Sequence, residues 1–186
     1  MKNFFAKVFG LTILSVSLFF FGCGNAAERN SAEKNEAAQS LQGKFPQFTT
    51  INLSGEQVTS EIFAQKKITV LNIWGTFCPP CVDEMPELGN FSKQMSSDVQ
   101  LVGLVCDVSG IEDSKTIEAA KEILQKADAN FLNIIPNKEI IPFLEKVVAV
   151  PTTIFLDSQG NIIGEPIVGA DVEGYKKRLK ELLDKM

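Results

Sequence analysis

Residues 68–74 read ITVLNIW, a short and nearly all-apolar run, and Cys78-Pro79-Pro80-Cys81 follows it almost at once. Such a β-branched run is a strand buried on both faces, as in parallel sheets covered by helices. From Pro79 to about Met95 the pattern reads as a helix, so the cysteine pair lies where a buried strand hands over to a helix. A thiolate there sits against the positive end of the helix macrodipole and beside unpaired backbone N–H groups, which lowers its pKa. Cys78 is then the exposed attacking sulfur. Cys81, one turn inside, is the shielded sulfur that resolves a mixed disulfide. The two-residue spacer lets the sulfurs bond to each other across the first turn. Pro79 suits the first helical position, where an N–H is not needed. Pro80 removes a further donor and leaves the Cys81 N–H as the main local one. The Cys78 thiolate is therefore expected to be less stabilised than with another residue at position 80.

The rest of the chain alternates strands with helices. Residues 48–53 read as a short strand turned by Ser54-Gly55, and 60–66 as a short helix. Residues 99–105, VQLVGLV, form a second buried strand. Over 116–127 the apolar residues Ile117, Ala120, Ile123, Leu124 and Ala127 recur at helical spacing. Residues 154–157 and 161–168 flank Ser158-Gln159-Gly160 and read as a hairpin. Val172, Tyr175, Leu179, Leu182, Leu183 and Met186 make one apolar stripe of a closing helix. Strand–helix–strand units followed by a hairpin and a last helix point to a three-layer α/β sandwich.

Several chemistries are closed to this chain. It has no histidine, which excludes Ser/His/Asp triads, Cys/His proteases and most catalytic zinc sites. A formal charge of −5 and only two arginines, Arg29 and Arg178, supply no broad cationic surface, so no nucleic-acid partner is expected. No internal repeat or phosphate-cradling glycine loop occurs. Four cysteines remain to carry the chemistry. A zinc site built on Cys78 and Cys81 would need two more ligands, and only Cys23 and Cys106 are left. The first lies far off and the second in a strand, so no metal is expected.

The N-terminus reads as an export signal. Lys2 and Lys7 precede an apolar run over 8–21, shorter than the roughly 18–20 residues that span a bilayer comfortably. Gly22-Cys23 follows directly, which resembles the lipobox of bacterial lipoproteins. That resemblance implies cleavage before Cys23 and a diacylglycerol on its sulfur; Phe20 stands where that family usually has Leu. A simply cleaved signal or an uncleaved anchor is the alternative. Residues 23–44 are polar, with Leu41 as the one large apolar residue, and read as a tether. The division expected is thus a signal at 1–22, a lipid-anchored tether at 23–44 and one folded domain at 45–186.

Trp74-Gly75-Thr76-Phe77-Cys78-Pro79-Pro80-Cys81 after a strand, with Val150-Pro151-Thr152 downstream before another, resembles the thioredoxin superfamily. Within it the chain is similar to the membrane-tethered TlpA/ResA-type thiol–disulfide oxidoreductases. Asn72 stands where cytoplasmic thioredoxins carry a buried Asp, Glu84 lies three residues after Cys81, and Pro86 lies where the superfamily kinks this helix. Residues 116–147 match the insertion of the exported branch. The resemblance implies a thioredoxin-like α/β/α sandwich with a central mixed sheet and this TlpA/ResA-type insertion. It implies a cis Val150–Pro151 bond facing the cysteines, with the Val150 backbone pairing with substrate, and no cofactor beyond the redox-active Cys78–Cys81 disulfide. It also implies a membrane electron donor of the CcdA/DsbD kind. The clients implied are exported disulfide-containing proteins such as apocytochrome c or a methionine sulfoxide reductase.

Each candidate has a plainer alternative. The cysteine pair could be a structural disulfide, and Pro151 an ordinary loop proline. Glu84 could merely favour the helix N-terminus, yet at i+3 it shares a helix face with Cys81, and a partly buried carboxylate there would have a raised pKa and accept the Cys81 proton. Trp74 reads equally as a core residue or, with Pro79, Pro80, Val150 and Pro151, as part of the substrate surface. Cys106 reads as a small buried hydrophobe with an inert thiol, and Asp107 as the end of its strand. The expected activity is extracytoplasmic reduction of disulfides in partner proteins. A disulfide-forming oxidase and a non-catalytic binding lipoprotein are the alternatives. A thiol peroxidase fits poorly, since Gly75 stands where that chemistry places Thr and no Arg occurs between Arg29 and Arg178.

Overall fold

A computed structural model describes residues 41–186. The expected signal at 1–22, the lipidation site Cys23 and most of the expected tether lie outside the described residues. Strands β1 (Thr49–Ile51) and β2 (Gln57–Thr59) form a small antiparallel hairpin, followed by a 3-10 helix at Ser60–Gln65. Then come β3 (Ile68–Trp74), α1 (Pro79–Gln94), β4 (Val99–Val105), α2 (Ser114–Lys126) and β5 (Leu132–Ile134). A short α3 (Ile141–Leu144), β6 (Thr152–Asp157), β7 (Ile167–Val168) and α4 (Val172–Leu183) complete the chain. The main sheet has the order β5-β4-β3-β6-β7. β3, β4 and β5 run parallel, while β6 pairs antiparallel with β3 and β7 with β6. The expected mixed sheet between two layers is what the chain adopts.

Alternation along the strands divides the core between the two faces. Ile68, Val70 and Trp74 of β3 face Met85 and Leu88 of α1, Ala120 and Leu124 of α2, and Val172, Tyr175 and Leu179 of α4. Both parallel crossovers, β3–α1–β4 and β4–α2–β5, place their helices on this one face, as right-handed connections stepping in one direction must. Leu71 and Ile73 point to the opposite face, with Val102, Leu104, Ile154 and Leu156. That second layer is thin: α3, the 3-10 helix and an aromatic cluster of Phe45, Phe48, Phe63 and Phe143, whose centroids lie 4.7–5.9 Å apart in edge-on pairs.

Three sequence expectations change. The folded unit starts before Phe45, because Leu41 is buried in the aromatic layer and Gly43 O accepts from Ile162 N at 2.8 Å. Leu41 was the one large apolar residue of the expected tether, and apolar burial draws it in. The return strand of the hairpin is not continuous over 161–168. Pairing holds at Leu156↔Ile162, lapses, and resumes in a different register at Thr153↔Ile167. Gly164, with φ of +70°, and Pro166, which has no N–H to offer a ladder, lie in the gap. Finally, the first strand is reduced to Thr49–Ile51, and β2, β5 and α3 are additional elements.

Candidate active site

α1 begins where the sequence places it. Cys78 is its N-cap, Pro79 opens it, and the Cys78 Sγ accepts from the Cys81 N–H at 3.3 Å. Of the three residues after Cys78 only Cys81 has an N–H, so this donor meets the sulfur without local competition. The two sulfurs are joined in a disulfide, with the Cα atoms 5.3 Å apart. Cys81 is wholly buried. Cys78 is also nearly covered, at 5% exposure, so the expected exposed sulfur is in fact recessed. The Val150 carbonyl covers it, 3.5 Å from Sγ. A disulfide sulfur carries no hydrogen, so this is a contact rather than a hydrogen bond. The Val150–Pro151 bond is cis. Pro151 is buried and Val150 half-buried, while Pro79 and Pro80 stand exposed beside Cys78. Phe77 and Val148, each 67% exposed, lie one and two residues from Cys78 and Val150 along their loops.

The loop leading to Cys78 is pinned by a residue that the sequence suggested only as a strand end. Asp107 accepts from the Thr76 N–H at 3.1 Å and from the Thr76 hydroxyl at 2.6 Å. Because Trp74 and Val105 are paired in register, Thr76 and Asp107 emerge side by side at the carboxyl ends of β3 and β4. That juxtaposition was available only once the strands were paired.

Trp74 belongs to the core and not to the substrate surface. It is fully buried, and its indole N–H donates to Asn133 Oδ1 at 2.9 Å. The Asn133 side chain reaches it by crossing Gly103, where an added Cβ would lie 1.9 Å from Asn133 Oδ1. Asn133, Gly103, Asn72 and Thr153 are register partners across β5, β4, β3 and β6. They form a polar row across the sheet face beneath α1.

Glu84 descends onto this row from the buried stripe of α1, which also carries Cys81, Met85 and Leu88. It is 6% exposed. Asn72 donates from Nδ2 to Glu84 Oε1 at 2.9 Å and to Thr153 Oγ1 at 3.0 Å. The Tyr175 hydroxyl lies 3.0 Å from Glu84 Oε2. Burial pushes the Glu84 carboxyl up to about 7, against which the Asn72 and Tyr175 hydrogen bonds pull down, while Glu87 and Asp171 add to the rise. A carboxyl on the face it shares with Cys81, holding its proton near neutrality, can both take and return a thiol proton. Tyr175, placed by the sequence in an apolar stripe, is thus part of the polar network. Cys106 is free and half-buried, and its thiol is pushed up to about 11, mainly by burial and then by Asp107. Among the described residues no group of three or more His, Cys, Asp or Glu could hold a metal ion.

A recessed disulfide at a helix N-terminus, opposed by a cis-prolyl loop and underlain by a buried carboxyl, defines a thioredoxin-fold protein of dithiol–disulfide exchange. Comparison with known proteins gives the family. The Redoxin profile matches residues 41–183, and the chain belongs to that family. The thiol-disulfide oxidoreductase ResA of Bacillus thuringiensis subsp. konkukian (strain 97-27) is 30% identical over 152 residues, 81% of each chain. The thioredoxin-like protein YneN of Bacillus subtilis (strain 168) is 30% identical over 139 residues, 75% of this chain and 76% of that one. Among solved structures, a thiol:disulfide interchange protein DsbE from Chlorobium tepidum superposes with a TM-score of 0.61 at 20% identity, covering 77% of this chain and 96% of its own. The protein is a thioredoxin-like thiol–disulfide oxidoreductase.

Proposed function

We propose that the protein works outside the cytoplasm as a reductant of disulfides in exported partner proteins, held to the membrane through a lipid on Cys23. The single observation that carries the direction is the Cys81 N–H as the sole local backbone donor to the Cys78 sulfur, at 3.3 Å, with two prolines between. A weakly supported thiolate shifts the balance toward the disulfide form, which makes the dithiol the better electron donor; strong oxidants instead owe their potential to a stabilised reduced form.

The Cys78 thiolate attacks one sulfur of a partner disulfide, forming a mixed disulfide and releasing the other partner sulfur as thiolate. Glu84 takes the proton from Cys81. The Cys81 thiolate then attacks the Cys78 sulfur, the partner's second sulfur leaves, and the electron pair has passed from the dithiol to the partner. The Val150 carbonyl and its cis-prolyl neighbour supply backbone for pairing with an extended client segment. Phe77, Pro79, Pro80 and Val148 offer apolar surface around the entry to the sulfur. The pair itself serves as the redox group, with no added cofactor. A membrane donor of the CcdA/DsbD kind would restore the dithiol, and apocytochrome c or a methionine sulfoxide reductase are the clients to test first.

The reduction potential of the Cys78–Cys81 pair tests the direction. A value near that of thioredoxin, about −270 mV, is expected, and a value near that of DsbA, about −120 mV, would make the protein an oxidase. Partners trapped on Cys81→Ser in the exporting cell then identify the client.

A further inference from the structure

Tyr175 is the chain's one tyrosine, and its hydroxyl has three polar partners within 3.2 Å but one proton, with the Thr153 side chain also bearing on it. Glu84 Oε2 lies at 3.0 Å, the Gly169 carbonyl oxygen at 2.8 Å and the Asp171 backbone nitrogen at 3.2 Å. The Asp171 N–H can only donate, so the Tyr175 oxygen accepts from it. The hydroxyl proton must then go either to Glu84 or to Gly169, and the charge on Glu84 decides which. With Glu84 ionised, Tyr175 donates to the carboxylate and gives up Gly169. With Glu84 protonated, the carboxyl donates to the Tyr175 oxygen, and Tyr175 turns its own proton to the Gly169 carbonyl. Both arrangements use the same heavy-atom positions. Burial and the nearby Glu84 charge both raise the Tyr175 pKa, so the phenol stays neutral and only its proton's direction changes.

Gly169 is not an arbitrary acceptor. Its own N–H donates to the Pro151 carbonyl at 2.8 Å, and its φ of +94° brings the chain out of β7 toward the start of α4. The residue that receives the Tyr175 proton is therefore the one that holds the cis-prolyl segment facing Cys78. We propose that Tyr175 is a positioning residue that passes the protonation state of Glu84 to Gly169 and so to the loop carrying Val150 and Pro151. This rests on the reading of Glu84 as the proton acceptor for Cys81. In the exchange cycle, the proton that leaves Cys81 arrives on Glu84, and the Tyr175 proton turns from Glu84 to Gly169 at that step. The groups facing Glu84 come from every element packed around it. α1 contributes Cys81 and Glu87, α4 contributes Tyr175 with Asp171 at its cap, and β3 and β6 contribute the uncharged Asn72 and Thr153. Lys176 is engaged by Glu87 and Glu173.

The test uses the oxidised and reduced full chain. With tyrosine labelled at ¹³Cζ, the oxidised protein gives one resonance, expected to titrate near pH 7 and to be flat in Glu84→Gln. The Ala170 ¹⁵N shift, which senses bonding at the Gly169 carbonyl, follows the same midpoint and loses it in Tyr175→Phe. In the reduced protein, Tyr175→Phe removes a donor to the Glu84 carboxylate and moves the pH limb of disulfide reduction up by about one pH unit. If Glu84→Gln abolishes that limb while Tyr175→Phe only lowers the melting temperature and leaves it in place, the Tyr175 proposal fails and the Glu84 reading stands. If Glu84→Gln leaves the limb unchanged, the Glu84 reading fails and takes this one with it. A tyrosine resonance that stays flat from pH 5.5 to 8.5 in the unaltered chain overturns the proposal whether or not Tyr175→Phe folds.

Discussion

Glu84→Gln is expected to make the oxidised protein more stable at alkaline pH while changing it little in mild acid. The carboxyl is 6% exposed, and burial is the main reason its proton is held up to about 7 rather than 4.5. A carboxyl that binds its proton more tightly folded than unfolded contributes its full stabilisation below about 4.5 and has lost it above about 7. At roughly 1.4 kcal/mol per pH unit, that interval corresponds to about 3 kcal/mol. Glutamine keeps the shape, accepts from Asn72 at Oε1 and donates to the Tyr175 oxygen from Nε2, so it retains the neutral arrangement at every pH. The assay is urea denaturation of both oxidised proteins from pH 5 to 8.5. This window lies above the range in which the other shifted carboxylates titrate, because Asp98, Asp113, Asp128 and Asp157 are all lowered from 3.8. Oxidation also removes Cys78 and Cys81 from the titration. The unaltered chain should lose about 2.5 kcal/mol relative to the variant across the window, since part of the full difference is already lost by pH 5. Parallel curves would refute the argument that Glu84 is buried with a proton it releases near neutrality.

Gly103→Ala places a methyl 1.9 Å from Asn133 Oδ1 and 3.1 Å from Trp74 Nε1, and should cost about 1–3 kcal/mol in thermal or urea unfolding. The sole tryptophan reports the lost indole bond by fluorescence. Asp107→Ala frees the Thr76 N–H and hydroxyl, and should slow attack by Cys78 several-fold in stopped-flow reduction of a model disulfide; Asp107→Asn, which still accepts from Thr76, should recover part of the rate. Cys106, its thiol pushed up to about 11, should resist alkylation in the folded protein at pH 8, and Cys106→Ala should leave disulfide exchange unchanged.

Much of this fold is legible in local pattern. β3 and β4 are mostly apolar along their seven residues, broken only by Thr69, Asn72, Gln100 and Gly103, because helices cover the sheet, and that pattern depends on no distant partner. α1 was readable from Pro79 at its start and from the spacing that set Glu84 on the face of Cys81. The elements that escaped are short or lean on others. β5 is three residues whose strand character comes from pairing with β4, and α3 is four residues with Pro142 inside. At the site, the cysteines and Glu84 could be singled out because their chemistry follows from residue type and spacing, whereas the opposing Pro151 came only from the resemblance to the thioredoxin superfamily. Asp107, Asn133 and Tyr175 could not. Each acts through a partner at least 31 residues away in sequence, and only strand register or helix packing brings the partner near. Trp74 could not be settled because a large aromatic beside a cysteine pair suits a core and a binding surface equally. The Asn133 acceptor, reached across Gly103, decides for the core.

Exchange at this site requires Cys78 to be the sulfur that attacks and Cys81 the one that releases. Incubating reduced full-length Cys81→Ser with a peptide that contains an internal disulfide, then mapping the adduct by proteolysis and mass spectrometry, tests this directly. The predicted result is a long-lived mixed disulfide on Cys78 that the unaltered chain forms only transiently. An adduct on Cys106, or an unreduced rate of adduct formation in Cys78→Ser, would contradict it.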